Sequence, residues 1–213
     1  MALLGKGALV MRHGVKPGMD ADHDDWHSME HIPERIGIPG FRRGRRCRSV
    51  DDESAWFLMY EVDDLDVLSS AAYRERLNHP SEWSQRIIPA ITNMNRTLAE
   101  VEESIGIGVG GFIAAAMVGA DIDRNVLRDV VKQQGIIGAH LLRGDRSASV
   151  VSTEEKSLRE VPDEVADWIV VLEGYDLAAV KEQSANLVGV LGLDPMSCYQ
   201  VRHVVSENDL SAP

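Results

Sequence analysis

The fold is decided by the stretch DWHSMEHIPERIGIPGF, residues 25–41. Its apolar residues recur with helical spacing, which predicts a helix over residues 22–36. Pro39 and Gly40 then stop that helix, because proline cannot continue it and glycine favours a turn. The residues on either side, 6–15 and 40–50, have the pattern of strands. The chain therefore begins with a strand, a helix and a second strand.

The rest of the chain continues this order of elements. Residues 55–62 and 93–101 alternate as strands, and residues 80–91 between them have the spacing of a helix. The first half is thus predicted as β-α-β-β-α-β. The second half repeats the order, with strands at 110–118, 136–143, 168–172 and 197–205 and helices at 121–134 and 177–191.

An internal match supports two related modules. One pattern of four residues recurs at a constant offset, as Trp56, Glu61, Asp64 and Leu65 and again as Trp168, Glu173, Asp176 and Leu177. Charged residues and glycines at 102–111 resemble a short connection, so we place the module boundary near Ile105. The modules are then residues 1–104 and 105–213, and residues 145–167 are expected to form a long mobile loop.

These elements predict the fold class α+β. A β-α-β-β-α-β unit forms a four-stranded antiparallel sheet with helices on one face, so its other face needs a cover. Two tandem ferredoxin-like βαββαβ modules can cover each other, with their sheets facing as an intramolecular pseudo-dimeric α/β barrel. Ligand sites are expected between each sheet and its helices.

Composition excludes several functional classes. The 213 residues include 22 Lys and Arg against 34 Asp and Glu, a formal net charge of −12. Such an acidic chain lacks the basic face that nucleic acid or an anionic membrane requires, so neither partner is expected. The two cysteines, Cys47 and Cys198, are far apart and give no disulfide framework or cysteine-metal spacing. No transmembrane segment or export signal is recognised, and a cytoplasmic location is expected.

The predicted first helix carries the densest group of chemically active side chains. His27 and His31 lie one turn apart, and Glu30 follows His27 by three residues, so all three can face one point. Acid-base catalysis is one interpretation. The same residues spell the inverted zincin motif, a second interpretation, although Pro33 would interrupt the continuous helix that such a zinc site needs. A purely structural role is the third.

The stretch at 25–41, the arginine run at 42–46 and the sequence NMNRT at 93–97 together resemble the dimeric α/β-barrel superfamily of ferredoxin-like proteins, which includes the EthD-like proteins. The resemblance covers the first module, whereas the second lacks the helix motif and looks degenerate. It implies one functional pocket per chain, in the first module, while the second module mainly closes the barrel. Members of this superfamily include isomerases, polyketide cyclases, cofactor-free monooxygenases and haem-dependent chlorite dismutases, so the fold does not choose the reaction.

A second feature is the run of five arginines within residues 42–48. Alternation along a strand places Arg43 and Arg45 on one face together with Phe41, and this face is expected to point inward. There each guanidinium could bind an anionic substrate or pair with a carboxylate such as Glu30, Glu34 or Glu61. Trp26, beside His27, is the third residue that we assign to substrate binding.

The leading hypothesis is a small-molecule enzyme without a cofactor or metal, a lyase, isomerase or cyclase acting on a small anionic substrate or an aromatic, polyketide-like one. His31 would move a proton with help from His27 or Glu30, while Arg43 or Arg45 stabilises an enolate or carboxylate. The alternatives are a non-catalytic ligand-binding or stress-related protein and a metalloenzyme at His27 and His31. A homodimer is possible for any of these.

Overall fold

Eight strands pair edge to edge around a closed barrel in the computed structural model, which describes residues 2–210. The order around the barrel is β1-β3-β2-β8-β5-β7-β6-β4, and every neighbouring pair is antiparallel. The strands are β1 (Gly7–Val15), β2 (Phe41–Ser49), β3 (Ala55–Val62), β4 (Ile91–Gly106), β5 (Phe112–Val118), β6 (Ile136–Gly144), β7 (Trp168–Gly174) and β8 (Ser197–Ser206). The predicted strands are therefore present, joined into one barrel.

Helices cover the outside of the barrel. The α-helices are α1 (Asp20–Trp26), α2 (Ile32–Ile36), α3 (Ala71–Asn78), α4 (Glu82–Ile87), α5 (Arg124–Val130), α6 (Arg146–Ser149), α7 (Glu154–Ser157) and α8 (Leu177–Leu191). Short 3₁₀ turns occupy Leu65–Ser69, Ile88–Ala90 and Glu207–Leu210, and a π-helical turn at His27–His31 joins α1 to α2. Within residues 2–210, no helix is both long and apolar enough to cross a membrane.

Alternation along each strand separates two apolar layers. On β1, Ala8 and Val10 pack into the barrel interior with Phe57 and Met59 of β3. Leu9 and Met11 point the other way and pack beneath the helices of the first half. A similar outer layer lies under α5 and α8 in the second half. The space between the sheet and the first-half helices is where the candidate site lies.

Buried charges cross the barrel interior. Arg45 is fully buried and pairs with Glu173 at 2.6 Å and with Glu61 at 3.1 Å, while Arg43 also bonds Glu61 at 2.8 Å. His140 lies 3.3 Å from Glu173. The inward orientation predicted for Arg43 and Arg45 is therefore observed, and both are held by carboxylates. These pairs connect strands of the first and second halves. Phe41, predicted on the same face as Arg43 and Arg45, lies instead in the layer beneath the helices, because a bulge between Phe41 and Arg43 shifts the pairing of β2 with β3.

Removal of Arg45 should strongly destabilise the protein. Arg45→Ala leaves Glu173 without its cation inside the barrel, and breaking a buried pair in this way costs about 3–5 kcal/mol. Arg42→Ala on the same strand is the matched control, because Arg42 pairs at the surface with Asp63 and Glu207. The control should change the unfolding free energy by at most about 1 kcal/mol. Urea unfolding of both variants measures this difference. Equal losses of unfolding free energy in the two variants would show that the buried ion pairs do not stabilise the fold.

Residues 145–167 do not form the expected mobile loop. They contain α6 and α7 and pack along the edge of β4 that β6 leaves uncovered. The amide of Arg96 donates to Glu164 O at 2.9 Å, the amide of Glu164 donates to Met94 O at 2.8 Å, and the amide of Leu98 donates to Ser149 Oγ at 2.9 Å. These bonds satisfy strand-edge groups that would otherwise be buried without partners. We call residues 145–167 the cover segment.

The predicted connection at residues 102–111 is also shorter than expected. β4 continues to Gly106 and pairs first with β1 and then with β6. A bulge between Val101 and Glu103 allows the change of partner. The proposed module boundary at Ile105 thus falls within a strand, opposite Ala139 of β6.

Candidate functional site

The π-helical turn determines where the two motif histidines point. Pro33 has no amide hydrogen and its ring would clash with the carbonyl four residues earlier, so a regular α-helix cannot pass through this position. The chain widens into a π-turn at His27–His31, and the amide of Ile32 bonds to His27 O. Such turns are frequent at functional sites. The imidazoles of His27 and His31 both face the barrel, with ring centroids 5.4 Å apart.

Two further histidines extend this pair into a row. His23 on α1 lies 5.8 Å from His27 between ring centroids, and His13 on β1 lies 5.1 Å from His23. All four rings are buried. Trp26 packs against His31 at 4.4 Å, and Trp56 stacks on His13 at 6.0 Å. An interior row of imidazoles enclosed by aromatic rings is therefore the main chemical feature of the first half.

Burial keeps these imidazoles neutral. It lowers the pKa of His13 to about 3 and, with the nearby Arg35 cation, holds the pKa of His31 well below its usual value. Burial and the neighbouring His31 do the same to the pKa of His27, and burial also lowers the pKa of His23. A neutral imidazole has one free nitrogen lone pair that can act toward a bound group, while burial opposes a lasting positive charge on the ring.

The hydrogen bonds of the rings distinguish His31 from its neighbours. His13 Nδ1 donates to Gly14 O at 3.1 Å, and His27 Nε2 lies 3.1 Å from the hydroxyl of Tyr60. Burial raises the pKa of Tyr60, so the hydroxyl keeps its proton. His31 Nδ1 is buried without a partner, and His31 retains 8% exposure. The accessible nitrogen of His31 is therefore Nε2, at the cavity.

A cavity of about 40 Å³ lies between the sheet and the first-half helices. It has room for roughly three water-sized groups. His13, Trp26, His27 and His31 line one side, and apolar side chains of β1, β3 and β4 line another. This is the location predicted for a ligand, between a sheet and its helices.

Arg96 of β4 is the unusual cation of this cavity. It is only 7% exposed and donates to the hydroxyl of Tyr73 at 2.8 Å, yet among residues 2–210 no carboxylate forms an ion pair with it. The cavity's other two arginines are neutralised, because Arg35 pairs with Glu155 and Arg159 holds Asp163 through two bonds. A buried cation normally requires a counter-charge. The cavity is therefore suited to an anionic group.

The second half supplies one wall of this cavity. Glu155 and Arg159 of the cover segment both line it. The ion pair between Glu155 and Arg35 joins this wall to α2 of the first half. The expectation of one pocket built by the first module alone therefore needs correction, because the pocket is completed by the cover segment.

Three predicted site residues, Glu30, Arg43 and Arg45, do not line the cavity. Trp26 lines it, but Glu30 turns toward α4, where its carboxylate accepts hydrogen bonds from Ser81 Oγ at 2.5 Å and Ser84 Oγ at 3.4 Å. The expectation that Glu30 faces the same point as His27 and His31 is wrong, because the wide π-turn rotates it to the other side. Arg43 and Arg45 lie inside the barrel and line none of this cavity.

The sequence assigns no role to His13, Arg35 or Arg96; for His13 and Arg96 this is because the face on which a strand residue lies cannot be fixed from one sequence. Arg35 and Arg96 belong to stretches that carry the family resemblance, 25–41 and 93–97, and this was the available signal. Nothing in the sequence identifies Glu155 or Arg159 as neighbours of His31, since they lie more than a hundred residues away.

The donor set gives no support for a metal or haem. Among residues 2–210, no three histidine, cysteine, aspartate or glutamate side chains form a group that could hold a metal ion. The cavity is also far smaller than the roughly 300–1,000 Å³ typical of sites for larger ligands, so a haem does not fit. We derive no chemistry through either group.

Comparisons with known proteins identify the fold. No protein-family model matches the chain, and no curated protein matches it. Among solved structures, it is similar to an anthrone oxidase-like protein, with a TM-score of 0.61, 14% identity and coverage of 97% of this chain and 96% of that one. A candidate monooxygenase from Fusobacterium nucleatum subsp. nucleatum ATCC 25586 matches with a TM-score of 0.56 and 12% identity, and the match covers 96% of each chain. A candidate chlorite dismutase matches with a TM-score of 0.53 and 14% identity, and the match covers 98% of each chain. The likeness in fold therefore extends over nearly all of the chain.

Proposed function

We propose that the protein is a small-molecule enzyme that enolises a carbonyl substrate by acid-base catalysis, as a lyase, isomerase or cyclase. One observation carries this proposal: Arg96, a buried cation with no carboxylate partner in the described part of the chain, lines the same cavity as the neutral imidazoles of His27 and His31. A base beside a fixed cation is the arrangement that converts a carbon acid into an enolate. The similar structures include proteins described as a monooxygenase candidate and as anthrone oxidase-like, which supports an enzymatic role.

Each group has a defined part in this reaction. His31 Nε2 removes the proton from the carbon next to the carbonyl, and the electron pair of that bond moves to the carbonyl oxygen. Arg96 pairs with the resulting enolate oxygen. His27, held by Tyr60, orients and assists His31. Return of the proton to another atom gives isomerisation. Attack of the enolate carbon on a second carbonyl of the same molecule, whose oxygen takes the proton back from His31, gives cyclisation.

The roles assigned to Glu30, Arg43 and Arg45 pass to other residues in this proposal. Glu30 positions α1 and α2 against α4, and the arginines of β2 stabilise the barrel. Arg96 takes the anion-stabilising role.

Acetylacetone tests the proposal, because it is small and its central carbon is acidic. Wild-type protein should accelerate deuterium incorporation at that carbon above the rate in buffer, as followed by proton NMR. Arg96→Gln should lower the enzymatic rate about a hundredfold or more, the effect of removing a donor to a developing oxyanion. The exposed Arg86, paired with Asp22, provides the matched control Arg86→Gln, which should retain the rate.

Arg96→Gln should also leave the fold at least as stable, since it removes a buried charge that has no counter-charge. A melting temperature equal to or above that of the wild type, together with lost exchange, identifies Arg96 as functional. Unchanged exchange in Arg96→Gln would contradict the proposed function.

We further propose that the two halves are tandem ferredoxin-like modules. The order β4-β1-β3-β2 in the first half recurs as β8-β5-β7-β6 in the second. The repeated glutamates Glu61 and Glu173 also meet the same guanidinium, that of Arg45. The first module and the cover segment then carry the chemistry.

A further inference from the structure

A second compartment adjoins the candidate active site. It measures about 60 Å³ and lies between α3, β4 and the cover segment. Apolar side chains dominate its lining, with Leu68, Leu77, Leu98 and Val151 among them, and Ser69, Arg74 and Thr153 add polar groups. We call this compartment the annex.

Tyr73 and Arg96 line both the annex and the cavity of the histidines. Their hydrogen bond, 2.8 Å from Arg96 Nη2 to the Tyr73 hydroxyl, marks the partition between the two spaces. The ring of Tyr73 is held in place by Phe41 at 5.4 Å and by the Arg35 guanidinium at 5.7 Å. An oxygen anion bound to Arg96 therefore lies between two compartments rather than at the end of one.

We infer that the substrate is an enolisable carbonyl compound with a short, unbranched apolar tail, and that the tail occupies the annex. This inference rests on the proposed function. The reacting carbon and its substituent would fill the cavity of roughly three water-sized groups, the enolate oxygen would meet Arg96, and roughly four carbons would fit the annex. Val151, which is 52% exposed, places the outer end of the annex at the protein surface.

Chain length decides whether the annex holds a tail. The probes are acetylacetone and its homologues in which one methyl group is extended by one to six methylenes, with binding measured by calorimetry. Wild-type affinity should rise about threefold to fourfold for each added methylene until the annex is filled, and then remain constant. Val151→Trp, which fills the annex from its exposed end, should remove this dependence on length.

Val150→Trp is the matched control, because Val150 is 63% exposed and does not line the annex. It should bind the series as the wild type does. A wild-type affinity independent of chain length, or the same dependence in Val151→Trp, would overturn the inference. If the protein catalyses deuterium exchange but its affinity does not depend on chain length, the role of the annex is wrong and the proposed function stands. Length-dependent binding without exchange would support the annex and contradict the proposed function.

Discussion

His31→Gln should lower the rate of deuterium incorporation into acetylacetone at least about a hundredfold while leaving binding within threefold. The amide of glutamine keeps a polar group of similar size but cannot accept the proton, and a positioned general base contributes about 10²–10⁴ in rate. His31 is the ring whose accessible nitrogen meets the cavity. NMR exchange at saturating probe concentration measures the loss.

His27→Gln should have a smaller effect than His31→Gln. His27 Nε2 is occupied by the Tyr60 hydroxyl, and its Nδ1 is buried without a partner, so His27 acts through the position of His31. His79→Gln is the control, because His79 lies exposed on the protein surface. If His31→Gln retained the wild-type exchange rate, His31 would not be the base.

Acid should unfold this protein at an unusually mild pH. A histidine in the unfolded chain has a pKa of about 6.5, whereas burial lowers the pKa of His13 to about 3 and lowers those of His23, His27 and His31. Above pH 6.5 both states are neutral at these positions. Below pH 6.5 the unfolded chain binds protons that the folded protein does not, so the unfolding free energy falls. At pH 5, each histidine that stays neutral in the folded protein lowers the unfolding free energy by about 2 kcal/mol.

Urea unfolding at pH 7, 6 and 5 measures this dependence. His13→Phe removes one of the four groups and should reduce the loss of unfolding free energy between pH 7 and pH 5 by about 2 kcal/mol. His79→Phe should leave the loss unchanged. A wild-type protein equally stable at pH 7 and pH 5 would show that the four histidines are not kept neutral by the fold.

Much of the secondary structure was predictable because it depends on local periodicity. β3 at Ala55–Val62 and α8 at Leu177–Leu191 have the predicted bounds, since clear alternation or helical spacing meets a capping residue, such as Asp176 before α8. α3 was missed, because its sequence of mainly charged and polar residues has little apolar periodicity. The extension of β4 to Gly106 was missed because a bulge and a change of partner strand have no local signal.

The candidate site was predictable only in part. The helix motif identified His27, His31 and Trp26, which line the cavity. The face of Glu30 could not be predicted, since it depends on a π-turn instead of a regular helix. Arg43 and Arg45 form ion pairs instead of binding substrate, because Glu61 lies on the neighbouring strand and Glu173 faces Arg45 from across the barrel. Arg96 lies on a predicted strand, but its lack of a carboxylate partner among residues 2–210 depends on the distant cover segment and has no local signal.

The most direct test of this account is deuterium exchange into acetylacetone at pH 7 by the wild type and by a His27→Gln/His31→Gln variant that retains Arg96. The account predicts exchange well above the buffer rate for the wild type, a rate at the buffer level for the variant, and similar binding by both. Equal exchange rates in the two proteins, or a wild-type rate no faster than buffer, would contradict the claim that the buried histidines beside Arg96 form a proton-transfer site.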